Sequence, residues 1–262
     1  MDLDVDIFVS EGFVALRGAF DADIAAACRA VIWGELSAHG VRRDDRRTWT
    51  EPVIRVDCRD APPMVAAAAS PTLVAACDLL IGAGRWTTPA PAVGGPVRFP
   101  TEQYPGDAGY HIEGNRWGGD EYWADIRSRG RGLTAFFLYS DVGPDDAPTR
   151  LIRGSHLFIP PILARSGEDG MAGSAAADLL QPSVLCRSVV HCTGRAGDIY
   201  LCHPFMVHTA TWPHRGDRPR MIGQPGIAVP EGFRTDGSDP SPVAAAIVRG
   251  LDYPSRWTER QD

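Results

Sequence analysis

His111 and Glu113 flank a single isoleucine, and a second histidine, His208, follows far downstream. An imidazole and a carboxylate two residues apart, joined by a distant imidazole, make up the donor set of a facial-triad iron(II) site. Three ligands fill one face of an octahedron there, and the other face stays open to substrate, cosubstrate or oxygen. Along a β-strand, residues i and i+2 point to the same side, so His111 and Glu113 can reach one ion. A His-x-Glu pair arises often by chance and is a weak signal alone. Its context strengthens it. Residues 199–202 (Ile-Tyr-Leu-Cys) form a strand-like run that leads through His203 and Pro204 to His208. A strand that ends in a histidine is a means of delivering a ligand from a remote part of the chain.

Positioning these groups falls to the surrounding elements. From Asp21 to Leu36, apolar residues recur at helical spacing, with Asp21 or Asp23 as N-cap and His39-Gly40 as stop. A second helical pattern covers residues 71–80. The Pro- and Gly-rich stretch 87–105 reads as irregular connection. Strand signals follow at 133–139, 199–202 and 221–229, and residues 162–180 read as a helix or mobile lid around Gly167 to Gly170. Helices first and strands later predict an α+β domain whose catalytic part is a β-sandwich or jelly roll.

The 262 residues carry a net charge of −7 and no dense basic run, which argues against a nucleic-acid partner. No apolar run has the length of a membrane span. The acidic N-terminus lacks the pattern of a signal peptide. Six cysteines show no metal-like spacing and are expected as reduced, mostly buried thiols of a cytoplasmic protein.

Three motifs in order give the chain a specific likeness. The run Gly197 to His208, the segment Phe136 to Gly143 with its polar turn at 144–148, and Gly154-Ser155-His156 resemble elements of the phytanoyl-CoA dioxygenase-like family of Fe(II)/2-oxoglutarate oxygenases. Residues 8–14 resemble that family's opening segment. The resemblance implies a single domain on a double-stranded β-helix, the distorted, cupin-like jelly roll. Its helical N-terminal part would cover about residues 1–90, the core about 91–230 and a C-terminal extension about 231–262.

The same resemblance implies that His111, Glu113 and His208 hold iron(II), with 2-oxoglutarate and O2 as cosubstrates. Glu113 stands where aspartate is usual. Related halogenases have Gly or Ala there, so a carboxylate points to hydroxylation. Arg220 or Arg218 would anchor the far carboxylate of 2-oxoglutarate, and Arg220 is favoured because Pro219 leaves Arg218 in the turn. Thr134 and Phe136 are expected beside the cosubstrate. Asn115, Arg116 and Trp117 are expected at the mouth, with Trp212, Tyr122 and Trp123 as an aromatic wall for a small-molecule substrate. His156 and His203 are expected to be structural, and His39, His191 and His214 to lie on the surface. Arg153 replaces the family's proline. The alternatives are a cupin-like isomerase or hydrolase that uses no 2-oxoglutarate, and a non-catalytic jelly-roll binding protein.

Overall fold

Thirteen strands form among the described residues of the computed structural model, which are 3–58, 60–87, 95–114, 116–118, 121–180 and 182–253. They are β1 (Phe13–Leu16), β2 (Val53–Val56), β3 (Gly95–Arg98), β4 (Arg116–Gly118), β5 (Glu121–Ala124), β6 (Leu133–Leu138), β7 (Arg150–Ile152), β8 (Met171–Ala172), β9 (Val189–His191), β10 (Ile199–Cys202), β11 (His208–Thr209), β12 (Arg220–Gly223) and β13 (Gly226–Ile227). The largest sheet runs β1-β10-β6-β12-β3-β2, with β13 also pairing β6. Two smaller sheets run β11-β7-β9 and β4-β5-β8, and every pairing is antiparallel.

Side-chain alternation sorts the large sheet into two faces. On β6, Phe136 and Leu138 join Tyr200, Cys202 and Ile222 in one cluster, which Leu151 and Val190 of the small sheet complete. Ala135, Phe137 and Tyr139 point the other way, into the main core with Ile199, Leu201 and Met221. That core is shared with the helices α1 (Val5–Glu11), α2 (Ala22–Ala38), α3 (Pro62–Ala68), α4 (Pro71–Leu80), α5 (Pro160–Arg165), α6 (Gly173–Asp178), α7 (Pro182–Leu185) and α8 (Pro242–Leu251). The architecture is mixed helix and antiparallel sheet. One face of the large sheet meets helices and the other meets the small sheet.

Local chemistry sets the helix ends. The Asp4 carboxylate accepts from the Ile7 N–H at 3.0 Å, and Gly12 closes α1 at φ +84°. A Cβ on Gly12 would also lie 2.4 Å from His156 Nδ1, so two constraints select glycine there. Ser70 and Ser241 cap α4 and α8, each followed by a proline in the first turn. The helical patterns at 21–36 and 71–80 are found as α2 and α4. In the stretch 87–105, of which residues 88–94 lie outside the described residues, Gly95–Arg98 departs from the expectation of irregular chain and forms β3 between β2 and β12. Residues 162–180 resolve into the end of α5, β8 and α6.

No single described helix is long and apolar enough to cross a membrane; α3 and α4 together pass on length and composition, but as a pair bent by 43°. All six cysteines are free, four of them buried.

Candidate metal centre and its cavity

His208 begins β11 and pairs with Leu151 on one side. On its other side it forms an isolated antiparallel bridge with His111, whose N–H donates to the His208 carbonyl at 3.1 Å while the His208 N–H returns to the His111 carbonyl at 3.0 Å. The two imidazoles are therefore backbone partners, with ring centroids 4.4 Å apart. Ile112 turns into the core, and Glu113 falls back on the side of the histidines. Gly114 is required by close approach, since a Cβ there would lie 2.3 Å from the Trp123 carbonyl oxygen.

Each imidazole is held in one tautomer. Nδ1 of His208 lies 2.9 Å from the Met206 carbonyl, and Nδ1 of His111 lies 2.8 Å from the Gly109 carbonyl. A carbonyl only accepts, so Nδ1 carries the proton and each Nε2 presents a lone pair. His208 Nε2 is buried and has no hydrogen-bond partner among the described residues. Glu113 Oε1 stands 3.5 Å from His208 Nε2 and 3.9 Å from His111 Nε2, and one donor atom from each of the three residues lies within 4.8 Å of the others. Drawn together, these three atoms would let one divalent ion contact all of them. Two lone pairs and a carboxylate converging without a donor between them fit a divalent cation.

Electrostatics favour the charged carboxylate. Burial alone would raise the Glu113 pKa, but the charged groups around it, the Arg131 guanidinium among them, hold it down to about 2. Burial pushes His111 below the ordinary histidine range, which keeps its lone pair free. Arg131 was not foreseen from the sequence. Its Nε donates to the Gly114 carbonyl at 2.8 Å, and its NH2 sits 3.9 Å from Glu113 Oε2.

A cavity of about 940 Å³ opens over these groups, lined by both histidines, Glu113, Arg131 and Arg220 among others. Arg220 is buried while Arg218 is exposed. It lies opposite Arg98 in the β12–β3 register and donates to the Ala147 carbonyl, and its Nε has no partner among the described residues. Burial, reinforced by Arg98, pushes its guanidinium down to about 9. A buried cation in that state is stabilised by an incoming carboxylate.

The remaining sequence expectations divide. Thr134 is buried, its hydroxyl without a partner among the described residues, across the β6–β13 ladder from Gly226, which lines the cavity. Phe136 is fully buried and does not line the cavity; its ring meets His208 edge-on at 5.3 Å. Tyr122 lines the cavity, whereas Trp123 does not. Trp212 stands outside the lining, half exposed against Tyr104, where its indole N–H donates to the Glu102 carbonyl. Asn115 lies outside the described residues; Arg116 and Trp117 fall in β4, of which only the backbone is described. His156 and His203 are buried against the Val9 and Val243 carbonyls, away from the metal centre. His214, expected at the surface, is buried instead, because the 211–220 segment folds under Thr101 and Asp146. Arg153 pairs with Glu11 of α1 and adds no charge to the cavity.

Solved structures share this architecture. The carbocyclase SnoK from nogalamycin biosynthesis aligns with a TM-score of 0.59 at 18% identity, over 87% of this chain and 84% of its own. EctD from S. alaskensis, solved with 2-oxoglutarate and 5-hydroxyectoine, aligns at 0.58 and 16%, over 87% and 76%. HygX from Streptomyces hygroscopicus, solved with nickel, 2-oxoglutarate and hygromycin B, aligns at 0.54 and 15%, over 87% of each chain. These likenesses concern the fold. No curated protein matches the sequence. The profile of the phytanoyl-CoA dioxygenase (PhyH) family does match, over residues 8–222, a span that holds all three metal-binding candidates and Arg220. The chain belongs to the phytanoyl-CoA dioxygenase family.

Proposed function

We propose that this protein is a mononuclear non-haem iron(II), 2-oxoglutarate-dependent oxygenase that hydroxylates a small molecule, built as one domain on a double-stranded β-helix. The observation that carries the reading is the convergence of His111, Glu113 and His208 on a cavity whose wall also holds the buried Arg220. Iron and 2-oxoglutarate supply the oxidising power, with release of succinate and CO2. His111, Glu113 and His208 hold the metal on one face, and Arg220 receives the far carboxylate of the cosubstrate. Thr134 offers nearby a hydroxyl that has no partner among the described residues. Phe136 backs the His208 ring and fixes its direction.

Family membership and the ligands bound by EctD and HygX support iron and 2-oxoglutarate as the cofactors. The nogalamycin, ectoine and hygromycin chemistry of the neighbours supports a small-molecule substrate. The free cysteines fit a cytoplasmic location.

Anaerobic titration of the apo-protein with iron(II) and then 2-oxoglutarate, followed by visible absorbance, tests the reading. A weak charge-transfer band that requires both additions is expected, with loss in His208→Ala and weakened 2-oxoglutarate affinity in Arg220→Ala. Iron binding with no band and no affinity for 2-oxoglutarate would move the protein to a cupin-like isomerase or hydrolase.

A further inference from the structure

Four guanidinium groups line the cavity, from Arg55, Arg98, Arg131 and Arg220, against two carboxylates among the described residues, Asp107 and Glu113. Arg131 is matched by Glu113 at 3.9 Å. Arg220, on the reading above, is matched by the cosubstrate. Arg55 and Arg98 remain, and they share one carboxylate oxygen: Asp107 Oδ2 lies 2.5 Å from Arg98 NH2 and 3.7 Å from Arg55 NH2. One acid therefore stands against two cations.

The two differ in setting. Arg98 is 3% exposed, and its Nε has no partner among the described residues, as is also true of Asp107 Oδ1. Arg55 lies on the edge strand β2 with 59% of its side chain exposed, so it stands at the rim. The register Val53↔Arg98 places these arginines two residues apart across the ladder, within reach of one ligand. Metal and 2-oxoglutarate together add no net charge, since the ion is +2 and the cosubstrate −2. Among the described residues, the loaded site thus keeps the excess of positive charge that its side chains create. In a partly enclosed cavity such an excess selects an anion.

We infer that the substrate carries an anionic oxyacid group, a carboxylate or a phosphate, received by Arg55 and Arg98 on the Asp107 side of the cavity. This inference rests on the oxygenase reading for the occupancy of Arg220. A guanidinium fork matches two oxygens of either acid, and Asp107, tied to both arginines, holds their planes in place until the anion arrives.

The test uses the whole protein loaded with nickel(II) and saturating 2-oxoglutarate, titrated calorimetrically. The probes are small aromatic and alicyclic carboxylates, each beside its own carboxamide, and the matching phosphate monoesters. The acids or the phosphates are expected to bind about tenfold more tightly than the amides, and Arg55→Gln to remove that preference while 2-oxoglutarate affinity stays within about twofold. The two anion series separate carboxylate from phosphate. Arg55 is exposed, so its variant tests the idea without disturbing the core, and Arg98→Lys provides a second variant that keeps the charge and loses the fork. Equal binding of acid and amide, or binding of neither while 2-oxoglutarate still binds, overturns the inference alone. Loss of 2-oxoglutarate affinity in Arg55→Gln would overturn it too, by assigning both arginines to the cosubstrate. Failure of the wild type to bind 2-oxoglutarate would overturn the oxygenase reading itself.

Discussion

Glu113 carries one methylene more than the aspartate usual in this family, and the structure supplies a partner for the longer arm. Arg131 faces its second oxygen at 3.9 Å and is itself tied to the next carbonyl, Gly114. The arrangement leaves Oε1 for the histidine side and keeps the carboxylate from swinging away. Arg131→Met should weaken cobalt(II) affinity about tenfold, with Arg131→Lys intermediate, as read from the d–d absorbance during metal titration. A variant that merely unfolds would lose the band altogether together with its near-ultraviolet circular dichroism. At this scale the candidate triad was legible, because a spacing of two on an extended chain is a geometric statement. Arg131 was not. It sits in the turn before β6, and nothing in the spacing of Arg127, Arg129 and Arg131 shows which of them turns to the metal.

Strand alternation decides the next scale. Thr134 and Phe136 project toward the small sheet while Ala135 and Phe137 enter the main core, so a shift of register by one residue would exchange site and core. The sequence runs of β6 and β10 are apolar enough to be read directly. β3 was hidden because Gly95 and Pro96 are the usual punctuation of loops, and only pairing with β2 and β12 makes them strand. The glycine has a reason: a Cβ on Gly95 would lie 2.2 Å from the Ile222 carbonyl oxygen. Gly95→Ala should therefore push β3 from β12, cost about 1–3 kcal/mol in denaturant unfolding, and lower 2-oxoglutarate affinity by displacing Arg220. Unchanged cosubstrate affinity at reduced stability would separate β3 from the site.

Across the whole molecule, two buried histidines join the ends of the chain to its centre. His156 holds the Val9 carbonyl of α1, and His203 holds the Val243 carbonyl of α8, with the rings 4.9 Å apart. Burial pushes His156 down to about 3 and lowers His203 as well. Both folded values lie below the unfolded value of about 6.5, so the unfolded chain takes up the protons first. Their neutral packing stabilises the fold above that pH, and the stabilisation is lost as pH falls toward 3. Between pH 7 and pH 5, His156 alone should cost about 2 kcal/mol of unfolding free energy. Urea unfolding across that window checks this, and the slope should flatten in His156→Gln. Family motifs had marked both histidines as structural, but the helices they would tie down were beyond reach, since α8 lies where no motif was read.

The backbone bridge between His111 and His208 has a consequence for how the apo-protein behaves. Two residues far apart in sequence meet there through only two peptide hydrogen bonds, and an ion bound by both side chains would close that long loop as a removable staple. Iron supply would then set the rigidity of the cavity wall as well as the capacity for turnover. Hydrogen exchange at the His111 and His208 amides should slow on metal binding, and the melting temperature should rise with free metal concentration. A cell short of iron would hold this protein in a looser form, open to proteolysis along the extended segment that carries His111.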